Sequence, residues 1–326
     1  MKSVSRRKAI AASIALAVGW PAASGAPKAN ARVGYLEFVK ASDGERLYRE
    51  FVEGLAGRGY VDGRNLRIVR RSADARWERL RSLAPELAAA KVDVILATTP
   101  EAARSAKVGA PGIATVFVIS SDPVLEGLVT SLSRPQGALT GLVTRGEDLT
   151  AKRLQLLKEA FPGIRTVAIV GSNLAMSRVA FDEPARRLQL DVLQFPVHQP
   201  DDYRDAAAAI ARSTADAVLV VEDADAVTNI GVFTRLMMAT RKPVMFNADV
   251  FIEGDGWGLM SYGVSLRQQY RRAADIAARL LEGVKPSAIP VEFPTRYELV
   301  VNARAAEEYS IALPREFLAR ADRVRR

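Results

Sequence analysis

Val92-Asp-Val-Ile-Leu-Ala-Thr-Thr-Pro-Glu101 is an apolar run of strand length that ends in two hydroxyls, a proline and an acid. Ala215-Asp-Ala-Val-Leu-Val-Val-Glu222 repeats it 123 positions later, with Asp again in second place. Outward from this pair the match continues. Arg32-Val-Gly-Tyr-Leu36 corresponds to Thr166-Val-Ala-Ile-Val170, and Leu66-Arg-Ile-Val69 to Val192-Leu-Gln-Phe195. Ala114-Thr-Val-Phe-Val118 corresponds to Lys242-Pro-Val-Met-Phe246. Four segments recurring in one order at offsets of 123 to 134 make the chain a duplication.

The repeated unit is legible from its pattern. Strand-like runs fall at 32–38, 66–71, 92–98, 114–119, 166–170, 192–197, 217–221 and 243–247. Several are apolar throughout, as strands covered on both faces must be. Helical periodicity occupies 45–57, 77–90, 101–107, 149–160, 178–188, 203–212 and 226–239. Strand–helix alternation with short connections builds a parallel sheet covered by helices. The expected fold is therefore α/β: two Rossmann-like lobes, each a parallel sheet flanked by helices, joined by a multi-strand hinge. Segments 139–143 and 258–263 read as crossings between lobes. A long helix at 266–281 ends before Gly283, and a strand at 297–302 and a last helix at 314–324 follow. Lobe 1 is expected over 32–144 and 264–290, and lobe 2 over 145–263 and 291–326.

Residues 1–31 read differently. Lys2, Arg6, Arg7 and Lys8 precede an apolar stretch from Ala9 to Trp20 and a small-residue segment, and no acid appears before Glu37. That order is a secretory signal peptide, with cleavage expected between 23 and 31. Ser5-Arg6-Arg7-Lys8 matches part of a twin-arginine signal, which leaves two export routes open. The apolar stretch is about half of the ~20 residues a spanning helix needs. Without those four cations the formal charge of +9 falls to about +5. This is spread along the chain rather than clustered, unlike a nucleic-acid-binding face. Arg70-Arg71 and Arg271-Arg272 read as solvated pairs.

Catalytic and metal chemistry find little support. The chain holds no cysteine and one histidine, so thiol nucleophiles, disulfides and the common zinc sites are excluded. No G-x-S-x-G elbow, Walker A loop or G-x-G-x-x-G fingerprint appears. His198 sits in a polar loop and reads as a surface residue. Neither an enzyme nor a cofactor is expected.

In open parallel sheets ligands bind beyond the carboxyl ends of the strands. The residues there differ between the halves. The first offers Ser42, Thr98, Thr99, Ser120 and Ser121; the second offers Ser172, Asn173, Glu222, Asp223, Asn247 and Asp249. Hydroxyls and free N–H groups suit a carboxylate, and acids and amides suit an ammonium, so a zwitterion fits the division. The same residue types are favoured helix N-caps. Thr99 and Asp122, each before a proline, read as caps. Of the nearby aromatics, Tyr35 and Phe246 read as core, whereas Tyr262, on a crossing strand, reads as a ligand contact.

Separated motifs also carry a resemblance. Residues 51–65 (Phe-Val-Glu-Gly-Leu-Ala-Gly-Arg-Gly-Tyr-Val-Asp-Gly-Arg-Asn), Ser121-Asp-Pro-Val124, Gly258-Leu-Met-Ser-Tyr-Gly263 and Pro294-Thr-Arg-Tyr-Glu-Leu-Val-Val-Asn302 resemble ABC transporter substrate-binding proteins of the tryptophan/tyrosine-binding type. The resemblance implies a type I periplasmic-binding-protein fold, export, and a membrane permease with its ATPase as partners; a monomer in the periplasm is expected. It implies a small-molecule ligand, an aromatic or other apolar amino acid being the leading expectation. A sensory receptor presenting its ligand to a membrane signalling protein is the alternative. Relatives often carry a lipid-anchoring cysteine; its lack here points to a free protein.

Overall fold

The computed structural model describes residues 28–144, 149–172, 174–199, 201–221, 226–227, 229–253 and 257–326. Most of the expected leader lies outside this range.

Strands β1 (Ala31–Glu37), β2 (Leu66–Ser72), β3 (Val94–Ala97), β4 (Ala114–Ile119) and β5 (Leu139–Val143) form one sheet. Its order is β2-β1-β3-β4-β5 and every pairing is parallel. Helices α1 (Ala41–Gly57), α2 (Trp77–Ala89) and α3 (Pro100–Gly109) connect its first four strands. Because strand side chains alternate, one apolar run serves two cores. Val33, Tyr35, Val94, Leu96, Val116 and Val118 pack on one face with Phe51 and Leu55 of α1. Leu36, Ile95, Ala97, Phe117 and Ile119 pack on the other with Leu80, Leu83 and Leu87 of α2 and the alanines of α3. Burying each large apolar side chain contributes about 1.5–3 kcal/mol, so the runs without polar interruptions are the sheet's main source of stability.

The second sheet repeats the first and extends it. Strands β6 (Thr166–Gly171), β7 (Asp191–Pro196), β8 (Ala217–Val220), β9 (Val244–Phe246) and β10 (Met260–Gly263) stand in the order β7-β6-β8-β9-β10, the same winding as β2-β1-β3-β4-β5. Around them lie α4 (Thr150–Ala160), α5 (Leu174–Arg187), α6 (Asp202–Arg212) and α7 (Ile230–Ala239). Two strands from the end of the chain then join the edge. β11 (Glu298–Asn302) runs antiparallel to β10, and β12 (Arg323–Arg325) parallel to β11. The α/β fold expected from the duplication is the fold observed, with one antiparallel pairing in a sheet expected to be parallel.

The last expected helix is shorter than its pattern. α9 (Ala303–Glu308) and α10 (Arg315–Arg320) are followed by β12, whose start is fixed when Leu299 N donates to Asp322 Oδ2 at 2.9 Å. The side chain of Arg323 is then held by Asp249 and Glu298.

The chain changes sheets three times. After β5 it enters α4, whose Leu154, Leu156 and Leu157 belong to the second core. After β10 it enters α8 (Leu266–Leu281), which returns to the first sheet and lies along α1. The approach is close: a Cβ on Gly54 would stand 2.7 Å from Ala274 Cβ. Residues 289–292 then run beside β5, where Thr140 Oγ1 donates to Ile289 O and Val143 N to Glu292 O, before the chain crosses to β11. Among the described residues, no helix is long and apolar enough to cross a membrane.

Candidate functional site

In this strand order the connections leave β1 and β3 toward opposite faces of the sheet. α1 covers one face and α3 the other, so a crevice opens at the carboxyl ends of β1 and β3. Glu37 and Thr98 stand there. β6 and β8 form the equivalent point in the second sheet.

Glu37 closes β1 at 1% exposure. Its carboxylate accepts from Arg70 Nε at 2.5 Å and Nη2 at 3.2 Å. Burial pushes Glu37 up to about 7, against the pull of the Arg70 hydrogen bonds and charge. Arg70 is fully engaged: Nη1 donates to Glu45 Oε2 at 2.6 Å and Nη2 to Ala41 O at 2.7 Å. The guanidinium also lies 4.2 Å from the Tyr48 ring centre and 5.6 Å from that of Tyr35. Gly44 makes room for this arrangement, since a Cβ there would collide with Glu37 Oε2. The solvated reading of Arg70-Arg71 therefore holds only in part. Adjacent strand residues point to opposite faces, so Arg71 reaches outward to Glu86 at 2.7 Å while Arg70 turns into the switch point. Arg271 and Arg272 are likewise ion-paired, with Glu50 and Glu292.

At the second edge a buried cation organises the strand ends. Arg153 of α4 is 1% exposed; its Nε donates to Tyr262 O at 2.7 Å and its Nη2 to Asn247 O at 3.1 Å. It thereby ties the end of β9 to β10. Asn247 Oδ1 and Ser261 Oγ here, and Ser121 Oγ at the first edge, are buried without a hydrogen-bond partner among the described residues. Orphaned polar atoms are uncommon inside proteins. Thr234 Oγ1 in α7 and Asn302 Nδ2 at the end of β11 are orphaned too, away from these edges, and the three at the carboxyl edges suit a polar guest.

The two edges meet. Arg46, early in α1, pairs with Glu253, which follows the 3₁₀ turn Asp249–Phe251 beyond β9. Leu47 packs against the apolar cores of both sheets. Glu253 also receives Arg267, at 2.9 Å, and Arg323. Burial and the neighbouring Arg267 and Arg323 hold Arg46 below the ordinary arginine range.

The expected ligand contacts take several roles. Ser42 is exposed in the first turn of α1, with Oγ 3.0 Å from Asp43 Oδ1. Thr98 is half-buried, and its N–H donates to Leu36 O. Thr99 caps α3, its Oγ1 accepting from Ala102 N at 3.1 Å, and Asp122 Oδ1 accepts from Val124 N at 2.8 Å. Ser120 is exposed; Ser121 and Ser172 are half-buried. Asp249 is held within the fold by Ser265 Oγ at 2.7 Å, Leu266 N at 3.2 Å and Arg323 at 3.1 Å. Tyr262 is half-buried, its ring centre 6.3 Å from that of Tyr297. Asn173, Glu222 and Asp223 lie outside the described residues. Tyr35 and Phe246 are core residues, and His198 is exposed. A pocket of about 140 Å³ between Lys107, Pro111, Gly112, Gln136 and Leu139 lies at the amino-terminal edge, away from these groups.

Glu37, Arg70 and Arg153 escaped the sequence reading. Arg153 did leave a signal: it interrupts the apolar stripe Leu149, Leu156, Leu157, Ala160, and a charge on such a stripe must be buried with partners.

Comparison with known proteins follows the same outline. The family model described as ABC transporter substrate binding protein matches residues 32–325. A tyrosine-binding protein of Clostridioides difficile is 22% identical over 279 residues, 84% of this chain and 79% of the relative. Among solved structures, an ABC domain in complex with L-Trp from Streptococcus pneumonia superposes with a TM-score of 0.77 at 22% identity, covering 91% of this chain and all of that one. A ligand-free, open substrate binding protein with adhesive properties from Clostridium difficile gives 0.65 at 20% identity, covering 90% of this chain and 99% of the other.

Proposed function

The chain belongs to the family of ABC transporter substrate binding proteins, and from that premise we propose that it is an exported receptor for an aromatic amino acid, held between its two lobes and handed to a membrane permease. The lobes correspond to the two sheets, with β1–β5 and α8 in the first and α4–α7 and β6–β12 in the second. The observation that carries the reading is the meeting of two carboxyl edges across Arg46 and Glu253, with buried unpartnered groups on both sides. Relatives described as tyrosine-binding and as bound to L-Trp support the ligand class.

The mechanism is a population shift. Contacts from both edges are complete only when the lobes close, so the ligand stabilises the closed arrangement by its differential affinity. Moving such an equilibrium from 1:99 to 99:1 takes about 5.5 kcal/mol of that differential. The three connections between sheets would act as the hinge, absorbing closure in a few dihedrals. The reading includes a cleaved leader, a periplasmic location and a monomer that presents its closed shape to the permease. Chemistry on the ligand is not part of it.

The test is isothermal titration of the leaderless protein against L-tryptophan, L-tyrosine, L-phenylalanine and L-leucine, with ribose and adenosine as controls. Saturable one-to-one binding of an aromatic amino acid is expected. Binding of a control alone, or of nothing in the panel, would overturn the ligand class.

A further inference from the structure

One aromatic pair at the first edge is unexplained by packing alone. The segment from Ala73 to Trp77 leaves β2 and bends over the end of β1. Ala73 N donates to Glu37 O at 2.9 Å and Ala75 N to Phe38 O at 2.8 Å. Asp74 and Ala75 both adopt left-handed backbone angles, φ 51° and 60°. Two consecutive non-glycine residues in that region are unfavourable and persist only where the surroundings impose them. Ser72 contributes to that imposition: its Oγ donates to Val39 O at 2.7 Å and accepts from Asp74 N at 3.0 Å. Arg79 pairs with Asp74 from the first turn of α2.

The outcome of this bend is a placed indole. Trp77, the first residue of α2, stacks on Phe38 with ring centres 3.4 Å apart and planes 13° from parallel. Phe38 is 2% exposed and immobilised in the core, whereas Trp77 is 40% exposed. One ring is thus a rigid base and the other a solvent-facing surface. Phe38 stands directly after β1, the switch-point strand, and Trp77, beyond the end of β2, covers it at the same carboxyl edge. An indole needed only to cover Phe38 could be replaced by any large apolar residue on an unstrained loop.

We propose that Trp77, seated on Phe38, is the platform on which the aromatic ring of the ligand stacks, and that it sets the preference for aryl over aliphatic side chains. The proposal rests on the receptor reading above and adds to it the residue that selects the side chain. Offset stacking on a fixed indole adds to area burial for an aryl group and gives an aliphatic group much less.

The experiment titrates wild type, Trp77→Phe and Trp77→Ala with L-tryptophan, L-tyrosine, L-phenylalanine and L-leucine, after circular dichroism shows that all three proteins are folded. Trp77→Ala is expected to weaken the aromatic ligands by about 2- to 12-fold more than it weakens leucine. Trp77→Phe should retain most aromatic affinity. In the leaderless protein, which lacks Trp20, Trp257→Phe leaves Trp77 as the one tryptophan, and a bound aromatic ligand other than tryptophan should shield it from acrylamide quenching. If wild type binds aromatic ligands and Trp77→Ala binds them equally well, the platform is wrong and the receptor reading stands. Equal losses for aromatic ligands and leucine also overturn it, since Trp77 would then be only structural. If wild type binds none of the four, the receptor's ligand class falls and the platform falls with it.

Discussion

Removing the charge of Glu253 should loosen the contact between α1 of the first sheet and the segment beyond β9 of the second, and the size of the effect follows from its surroundings. The Glu253 side chain is 12% exposed and that of Arg46 34%, so the pair lies between a surface and a buried ion pair. Unit charges about 4 Å apart attract by roughly 4 kcal/mol at an effective dielectric constant near 20. Desolvation and the competition of Arg267 and Arg323 for the same carboxylate offset much of this. Arg267 keeps Glu50, and Arg323 keeps Asp249 and Glu298, whereas among the described residues Arg46 is left with the more distant fields of Asp249 and Glu50. The specific Arg46–Glu253 coupling should therefore be about 1–2 kcal/mol, above the 0.2–1 kcal/mol typical of exposed pairs.

The assay is a double-mutant cycle of Arg46→Met and Glu253→Gln, read from urea unfolding of the leaderless protein without ligand. The cycle cancels the losses each substitution causes elsewhere and isolates the pair. Because Arg46 lies on a helix of the first sheet and Glu253 beyond a strand of the second, the proposed lobes should separate more readily in Glu253→Gln, raising the ligand-free radius of gyration in small-angle scattering. Additive single losses, with a coupling below about 0.3 kcal/mol, would refute the pair as an interlobe tie.

Glu37 makes stability depend on pH. Its folded value is raised from 4.5 to about 7, so its favourable contribution is complete below 4.5 and is lost as pH rises to about 7. Across that window wild type should lose up to roughly 3 kcal/mol relative to Glu37→Gln, and parallel urea-unfolding curves at pH 4.5 and 8 would contradict this. Arg153→Lys should destabilise by about 2 kcal/mol or more, because one ammonium cannot reproduce a rigid fork reaching Tyr262 O and Asn247 O; an unchanged midpoint of thermal unfolding would count against the clamp.

The winding of both sheets was legible because buried parallel strands have no solvent face to encode. Val94-Ile-Leu-Ala97 and Ala217-Val-Leu-Val220 are buried at every position, and nothing else of that length and composition fits the gaps between helices. β12 was not legible. Three residues, Arg-Val-Arg, carry no periodicity, and their strand depends on Asp322 reaching Leu299 N and on Arg323 reaching acids more than twenty positions away. The start of α1 was missed for a related reason. Its first turn, from Ala41, lacks a capping side chain and is instead held where Arg70 Nη2 donates to Ala41 O.

At the site, strand order reveals which positions stand on the edge but not whether a side chain there is already engaged. Asp249 and Asn247 are two residues apart beyond the same strand. The first is bonded to Ser265, Leu266 and Arg323, while the second leaves its Oδ1 without a partner among the described residues. Only long-range pairing separates them, because Ser265 enters from the crossing after β10 and Arg323 from β12, and no local pattern aligns either with β9. The same logic divides the aromatics: Tyr35 faces the core because β1 alternates, whereas Trp77 faces out because a strained turn places it on Phe38. On the proposed reading, the groups that would meet a ligand are those the duplication puts on the edge and the later chain leaves unclaimed. The contact between the layers of the two sheets is carried by arginines and carboxylates already paired with each other, and the exposed ring and the orphaned amide are what the proposed receptor would offer a guest.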